Sequence, residues 1–319
     1  MALAIHFHEQ SQPAPESSLR DEALAGLSCS PKWLSPKFFY DRRGSELFEK
    51  ICQQPEYYLT RTEEGILREA VDDIARLSGP GIDLIEFGSG ASRKVRLLLE
   101  ALRPISYLGI DISEDFLLSS TQRLAADYPW LEVHAACSDF SQRLDLPEDF
   151  HSAHPLAFYP GSSIGNFTPA QARRFLGELH DLLPPGGGAL IGVDLVKDRT
   201  TLEAAYNDRA RATAAFNLNV LQRIRDELDS DIDPSRFEHH AFFNDAECRI
   251  EMHLVATEAQ DVRIEGQSFH FAEGESLHTE NSYKYSLESF CALARSAGFD
   301  CIGRWLDDDE LFSVHYLQR

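Results

Sequence analysis

The stretch IDLIEFGSGASRK, residues 82–94, joins an apolar run to a glycine-rich turn and then to a helical pattern. Its first part, residues 82–88, has the nearly continuous apolar character of a strand that is buried on both faces. Gly88 and Gly90 allow the backbone to turn sharply and to approach a ligand closely. A helix is predicted over residues 92–102. A strand, a glycine turn and a helix in this order favour an α/β fold with a ligand site at the turn.

Strand and helix patterns alternate through the middle of the chain. Further strands are predicted at SYLGIDI (106–112), LEVHAACSDF (131–140), PLAFYPGSS (155–163) and PPGGGALIGVDLV (184–196). The C-terminal stretches CIGRWL and LFSVHYL, separated by DDDE at residues 307–310, predict an antiparallel hairpin. Together these patterns predict a doubly wound, Rossmann-like α/β sheet of seven strands.

The alternation ends after Lys197. Residues from about 203 to 229 are predicted to form one long amphipathic helix, and the strand-like stretches RFEHHAFFN, CRIEMHLVA and DVRIEGQSFHF follow. We therefore expect two domains. Residues 61–197 plus 284–319 form the sheet domain, and residues 1–60 plus 198–283 form a second, smaller α+β domain.

Charge and composition limit the classes of partner. The 319 residues include 30 Lys and Arg against 52 Asp and Glu, so the formal charge is −22. Such a field repels nucleic acid and anionic lipid, which favours a small-molecule partner over both. No apolar run approaches the ~20 residues of a membrane span, and the N-terminus lacks the features of a secretory signal. Six cysteines without a CxxC pair are typical of reduced thiols. We expect a cytoplasmic monomer.

Residues that could bind a cofactor follow three successive strands. The third glycine of a dinucleotide-binding motif is missing, and the E-x-G-x-G pattern at 86–90 resembles the first motif of class I methyltransferases. Asp111 is placed to accept hydrogen bonds from a ribose diol, Asp139 to bind an adenine amino group with Phe140 near the ring, and Lys94 to pair with a methionine carboxylate. Each acid alone would serve equally as a strand end or a helix cap. The combination predicts binding of S-adenosylmethionine.

Long motifs across the chain resemble one family. They are SPKFFYDRRGSELFEKICQQPEYYLTRTE (35–63), YPGSSIGNF (159–167), VDLVKD (193–198), AYNDRARATAAFNLNVLQRI (205–224) and TENSYKY (279–285). From about residue 30 to the C-terminus the chain resembles the histidine-specific N-alpha-methyltransferases of ergothioneine biosynthesis, which convert histidine to its trimethyl betaine, hercynine. The resemblance implies that the sheet domain binds S-adenosylmethionine. It also implies that the smaller domain binds L-histidine and its mono- and dimethyl forms.

The resemblance also assigns residues to two sites. It implies that the cofactor contacts are Gly88, Lys94, Asp111, Asp139 and Phe140. It implies that the substrate contacts are Tyr40, Tyr57, Asn166, Tyr206, Met252, Glu280 and Ser282, with Tyr40 and Asn166 taking part in catalysis. At one position the neighbouring Tyr58 is an alternative to Tyr57.

These residue types suit a free α-amino acid. Asn166 can donate its NH₂ group to the substrate carboxylate and accept from the amine, and tyrosine hydroxyls are likewise neutral donors and acceptors. Glu280 can accept from an imidazole N–H, while Ser282 meets the other ring nitrogen. A substrate side chain without a ring N–H would leave this carboxylate buried and unpaired. The site would therefore discriminate against such a substrate. Read singly, Glu280 would be a surface residue and Met252 a core residue.

Two other features of the sequence bear on the chemistry. Gly161 and Gly165 are expected to keep backbone bulk away from a small substrate. No metal is expected, because the histidines have no zinc-ligand spacing and the adjacent His239 and His240 would point to opposite faces of a strand. An enzyme of this family with a different amino-acid substrate, and a non-catalytic cofactor-binding protein of a multi-enzyme assembly, remain as alternatives.

Overall fold

The computed structural model describes residues 5–9, 18–140, 146–147, 150 and 152–319. In these residues no helix combines the length and the apolar character needed to cross a membrane. The strands of the described chain are β1 (Ile5–Glu9), β2 (Lys32–Trp33), β3 (Asp83–Phe87), β4 (Ser106–Asp111), β5 (Glu132–Cys137), β6 (Pro155–Tyr159), β7 (Gly188–Asp194), β8 (Phe237–Asn244), β9 (Arg249–Ala256), β10 (Gln260–Ile264), β11 (Gln267–Phe271), β12 (Ser276–Tyr283), β13 (Asp300–Leu306) and β14 (Phe312–Gln318). The α-helices are α1 (Leu19–Leu27), α2 (Arg42–Cys52), α3 (Leu59–Ser78), α4 (Val95–Leu102), α5 (Glu114–Asp127), α6 (Pro169–Leu182), α7 (Arg199–Tyr206), α8 (Ala212–Glu227) and α9 (Leu287–Ser296). Short 3₁₀ helices cover Pro36–Phe39, Ser163–Asn166 and Pro234–Arg236.

The described residues divide into two compact units. Unit 1 contains β1, Leu59–Val196 and Tyr283–Arg319, and unit 2 contains the described part of residues 12–58 together with Lys197–Ser282. The binding functions predicted for the two domains stay a prediction.

The large sheet of unit 1 has the strand order β1-β5-β4-β3-β6-β7-β14-β13. Neighbouring strands are parallel from β1 to β7, and β14 and β13 run antiparallel. The predicted α/β class is confirmed, as is the C-terminal hairpin. The chain moves outward from β3 in one direction through β4 and β5, and in the other direction through β6 and β7. The carboxyl end of β3 therefore lies at the point where the strand order reverses, which is where open α/β sheets bind ligands.

The sheet contains one strand more than predicted. Ile5 to Glu9 form β1, which pairs in parallel with β5 from Val133 to Cys137. Residues 1–60 are predicted from the sequence to lie in the smaller domain, whereas β1 belongs to unit 1. Five residues alternating between apolar and polar side chains carry too little periodic signal to identify an edge strand before its partner is known.

Unit 2 contains a four-stranded sheet of order β2-β12-β9-β8 and a separate β10–β11 hairpin. The prediction of one long helix from about 203 to 229 is wrong, because residues 207–211 separate α7 from α8. The Asp208 carboxylate accepts the backbone N–H groups of Ala212 and Thr213 at 2.8 Å each, so it satisfies donors at the start of a new helix.

The stretch DVRIEGQSFHF, predicted as one strand, forms two strands, β10 and β11. Glu265 and Gly266 both have positive φ, at 50° and 77°, and form the tight turn between β10 and β11. β12, which contains the first five residues of the TENSYKY motif, is not predicted from the sequence.

Candidate active site

The glycine turn after β3 has the geometry that requires glycine. Gly88 and Gly90 have φ values of 70° and 48°, in the left-handed region that side chains disfavour. The Gly88 N–H donates to the Ile110 carbonyl at 2.8 Å, and the Gly90 N–H donates to the Asp111 carboxylate at 2.8 Å. These bonds fold the turn over the end of β4.

Asp111 is held in place at the carboxyl end of β4. One carboxylate oxygen accepts from Gly90 and the other accepts from the Ser113 N–H at 2.9 Å. Burial raises the pKa of Asp111, and the backbone hydrogen bonds oppose that rise. Since each carboxylate oxygen can accept a further hydrogen bond, the group suits a diol ligand such as a ribose.

Phe140 lies beside the same turn. A Cβ built on Gly88 would lie 3.8 Å from the end of the Phe140 ring. The ring meets Phe87 and Tyr159 edge-on, with centroids 5.9 and 5.8 Å away. Asp139, its neighbour in the chain, is half-buried two residues after the end of β5. Glycine turn, acids and aromatic ring thus follow three adjacent strands, as expected of a nucleoside site.

Lys94 pairs with a residue that sequence reasoning missed. Its ammonium lies 2.5 Å from the Glu63 carboxylate, which is completely buried. The same carboxylate accepts the Gly161 N–H at 2.8 Å, so it joins α3 to the segments after β3 and β6. An ammonium has three donors, so Lys94 retains N–H groups for a ligand carboxylate. No motif distinguishes Glu63 within its helical pattern.

Asn166 ends the 3₁₀ helix that follows β6. The turn is fixed by Ser162, whose hydroxyl accepts the Asp194 N–H at 2.9 Å. The Asn166 side chain is half-buried, and it makes no hydrogen bond to any other residue in the described part of the chain. Its amide can therefore serve a ligand without breaking a bond of the fold.

The two glycines near Asn166 are each required by the local structure, and their expected role in leaving room for a substrate stays a prediction. Gly161 has a φ of 78° and donates its N–H to Glu63. A Cβ at Gly165 would lie 2.7 Å from the Tyr283 carbonyl oxygen. Local backbone geometry and packing require both glycines, so clearance for a substrate is not needed to explain them.

In unit 2, several predicted substrate contacts form one buried cluster. The hydroxyls of Tyr206 and Ser282 lie 2.8 Å apart and are buried. The Tyr57 ring packs edge-on against Tyr206, with centroids 6.3 Å apart. Burial, then the neighbouring Tyr206 and further groups that include Glu280, raises the pKa of Tyr57 well above its usual range. The phenol therefore stays neutral.

Glu280 and Ser282 are two residues apart on β12 and point to the same face of the strand. Their side chains are buried, with exposed fractions of 9% and 3% for the two residues. Thr279 faces the other way, and the single proton of its hydroxyl is shared between two acceptors, the Asn217 side-chain oxygen at 2.8 Å and the Met252 carbonyl at 3.0 Å. Asn217, fully buried, is a second residue that sequence reasoning missed, and it anchors the strand that carries Glu280.

The remaining predicted contacts are also placed in unit 2. Met252 is buried on β9, and Tyr40 is half-buried, edge-on to Phe216 at 5.5 Å between centroids. Of the two adjacent tyrosines, Tyr58 accepts a hydrogen bond from Lys197 through its hydroxyl at 2.6 Å. Tyr57, by contrast, packs with the Tyr206 cluster. Contact of these residues with substrate stays a prediction.

Comparison with known proteins gives the family. Residues 19–319 match the family described as histidine-specific methyltransferase, SAM-dependent. The histidine N-alpha-methyltransferase of Mycolicibacterium smegmatis is 42% identical over 314 residues, which cover 96% of each chain. That of Mycobacterium tuberculosis is 38% identical over 315 residues, covering 97% of this chain and 96% of the relative. Ergothioneine biosynthesis protein 1 of Neurospora crassa is 30% identical over 312 residues, covering 91% of this chain and 33% of that longer protein. The family resemblance predicted from the sequence is confirmed, and the chain belongs to the S-adenosylmethionine-dependent, histidine-specific methyltransferases.

Proposed function

We propose that this protein transfers three methyl groups from S-adenosylmethionine to the α-amino group of L-histidine, giving hercynine, the first step of ergothioneine biosynthesis. The similarity to two histidine N-alpha-methyltransferases over almost the full length supports this substrate. The structural observation that carries the proposal is the buried set in unit 2, where one carboxylate, Glu280, accompanies the neutral hydroxyls of Tyr57, Tyr206 and Ser282.

The residues of unit 1 fit the cofactor. Asp111 has a fixed carboxylate with acceptor capacity for ribose hydroxyls, and the positive φ values of Gly88 and Gly90 keep side chains out of the turn. Phe140 offers an apolar ring beside that turn, and Lys94 offers an ammonium for a carboxylate. When bound, S-adenosylmethionine supplies an activated methyl group, so the protein needs no covalent intermediate.

The polypeptide has to orient the substrate nitrogen and leave its lone pair available. An amide and phenols suit this task, since none of them carries a charge that would fix the amine in its protonated form. In the proposed site Asn166 donates to the substrate carboxylate and accepts from the amine. Correct placement of two reacting groups contributes several kcal/mol to catalysis, roughly 7–11 in the best oriented cases. The neutral amine offers Asn166 an N–H in the first two transfers and none in the third, so the contact with the substrate carboxylate has to hold the position throughout.

Side-chain specificity is assigned to β12. Glu280 accepts the imidazole N–H and Ser282 meets the other ring nitrogen. A substrate without a ring N–H would leave the Glu280 carboxylate buried and without that partner, a loss of about 1–3 kcal/mol or more. Glu280→Gln is therefore expected to lower kcat/KM for histidine at least ~10-fold, and kcat/KM for an amino acid with an apolar side chain much less. Equal losses for both substrates would contradict this role.

The experiment that tests the proposal offers S-adenosylmethionine and each of the twenty amino acids to the purified protein. Mass spectrometry then follows products with one, two and three added methyl groups. Histidine is expected to give the trimethyl product at the highest kcat/KM. Preference for another amino acid would identify a different substrate in the same family. We also propose that the enzyme acts as a cytoplasmic monomer without nucleic acid or membrane partners. The charge of −22 supports the last part of this proposal, because it repels nucleic acid and anionic lipid.

A further inference from the structure

Three soft metal-binding side chains meet in unit 1 outside the proposed catalytic residues. They are Cys291 on α9, Cys301 on β13 and His315 on β14. The His315 Nδ1 atom lies 3.7 Å from the Cys291 sulfur and 3.5 Å from the Cys301 sulfur. The three donor atoms all lie within 4.8 Å of one another.

The strand register explains why these side chains converge. Cys301 lies opposite Leu317 in the β13–β14 pair, and the register shifts between Cys301 and Gly303. His315 is two residues from Leu317, so it lies on the same face as Cys301. Helix α9 packs against β13 and brings Cys291 to the other two donors.

We propose that Cys291, Cys301 and His315 form a Zn²⁺ site. Zinc bonds of about 2.0 Å to nitrogen and 2.3 Å to sulfur, at a tetrahedral angle, set the N···S separation at about 3.5 Å. The two N···S distances, 3.5 and 3.7 Å, match that value within a few tenths of an ångström. The separation of the two sulfur atoms is within 4.8 Å, so all three donors can reach one ion.

A second contact prepares His315 for this role. Its Nε2 atom lies 2.9 Å from the Ser313 hydroxyl, and both residues are completely buried. A partner on one ring nitrogen fixes the tautomer and leaves the other nitrogen free to bind a metal, as is usual for zinc-bound histidine. Since Ser313 and His315 are neighbours on one strand face, the hydrogen bond also fixes the ring orientation.

Zinc binding at this site releases protons and gives a neutral complex. Each thiol loses its proton when its sulfur binds the ion, so two protons are released for each Zn²⁺. Two thiolates and a neutral imidazole give a complex with no net charge, which lowers the cost of its partial burial. Water takes the fourth position, and Cys301, which is only half-buried, gives the ion access to the site.

Another group of possible ligands, in unit 2, is less suitable. Glu251, His253 and His278 also come within 4.8 Å through their donor atoms. However, the Glu251 carboxylate is bound by Arg249 at 2.7 Å, and His278 Nε2 is bound to the Glu280 carbonyl at 3.0 Å. A cation there would have to compete with a guanidinium. In the group of Cys291, Cys301 and His315, here called the Cys291 cluster, the donor atoms face one another.

The test uses full-length protein, stripped of metal and kept reduced. Equilibrium dialysis against ZnCl₂ with elemental analysis measures uptake, and CoCl₂ provides a spectroscopic probe through its thiolate charge-transfer absorption. We expect about one tightly bound ion and a thiolate band. Cys301→Ser should weaken binding at least ~100-fold and remove part of the band, and Ser313→Ala should weaken it about 10–100-fold. Cys29→Ser removes an exposed thiol and should leave binding unchanged.

Several outcomes would overturn the proposal. One is the absence of stoichiometric uptake by the wild-type protein, which requires no variant and is independent of any folding defect. Others are equal binding by wild type and Cys301→Ser, or loss of binding in Cys29→Ser. A Cys291–Cys301 disulfide that forms in place of metal uptake would assign the cysteines to redox chemistry instead. Histidine methylation is measured separately, so the two proposals can fail independently.

Discussion

Glu63 connects three segments of unit 1 through one buried carboxylate. It accepts from Lys94 at 2.5 Å and from the Gly161 N–H at 2.8 Å, while Lys94 is only 15% exposed. Glu63→Gln preserves the shape and an acceptor oxygen but removes the charge. The Lys94 ammonium is then left without its counter-charge in a mostly buried position. Removal of one member of such a pair costs about 3–5 kcal/mol.

This loss is large enough to measure by thermal unfolding. In a unit of roughly 150–250 residues, 1 kcal/mol shifts Tm by about 2–4 °C, so Glu63→Gln is expected to lower Tm by roughly 6–20 °C. Asp127→Asn is the matched control, because its ion pair with Arg96, at 2.7 Å, is exposed. An exposed pair contributes about 0–1 kcal/mol.

A double variant separates the electrostatic cause from a packing defect. Glu63→Gln with Lys94→Met removes the unpaired ammonium together with the carboxylate, so most of the lost stability should return. The affinity of the double variant for the cofactor, measured by isothermal titration calorimetry, should be lower than that of the wild type, because Lys94 is proposed to bind the methionine carboxylate. A cost of less than about 1 kcal/mol for Glu63→Gln, or a double variant less stable than the single one, would show that the ion pair does not stabilise the fold as described.

Three further predictions concern single side chains. Asn166→Ala is expected to raise KM for histidine about 10–100-fold, because a hydrogen bond to a charged group is lost. The Kd of S-adenosylmethionine should change less than ~2-fold. Equal loss of both affinities would contradict the placement of Asn166. Ser282→Ala removes the 2.8 Å hydrogen bond between the buried hydroxyls of Tyr206 and Ser282 and should cost about 0.5–1.5 kcal/mol in urea unfolding. An unchanged midpoint would argue against that bond. Burial raises the pKa of Glu86 from 4.5 to about 8, so the folded protein keeps a proton that the unfolded chain releases. Glu86 therefore makes the free energy of unfolding fall by up to ~1.4 kcal/mol per pH unit as the pH rises between those two values. Glu86→Gln should remove this contribution, which is measured by comparing the free energy of unfolding at pH 5.5 and 7.5. The same pH dependence in the wild type and the variant would contradict the prediction.

The sheet could be predicted because its strands have a simple physical signature. β3, β6 and β7 are buried along their whole length, so they are nearly continuous apolar runs. The turn after β3 was equally evident, since the conformation of Gly88 favours glycine. The start of a helix can be predicted where the capping residues are neighbours in the sequence, as at Thr168 before α6.

Other elements depend on tertiary contacts that leave no local pattern. β12 buries Thr279, Glu280 and Ser282, so polar residues occupy positions where a strand signal requires apolar ones. The roles of Glu63 and Asn217 arise from partners far away in the chain, including Gly161, 98 residues from Glu63. The Cys291 cluster is similar, because strand register and helix packing bring its members together without metal-ligand spacing in the sequence.

The central claim is the identity and position of the methylated atom. It is tested most directly by incubating the enzyme with L-histidine and S-adenosylmethionine carrying a ¹³C-labelled methyl group, followed by mass spectrometry and NMR of the product. We expect three equivalent labelled methyl groups on the α-nitrogen and an unmodified imidazole ring. Label on a ring nitrogen, or no transfer to histidine at all, would contradict it.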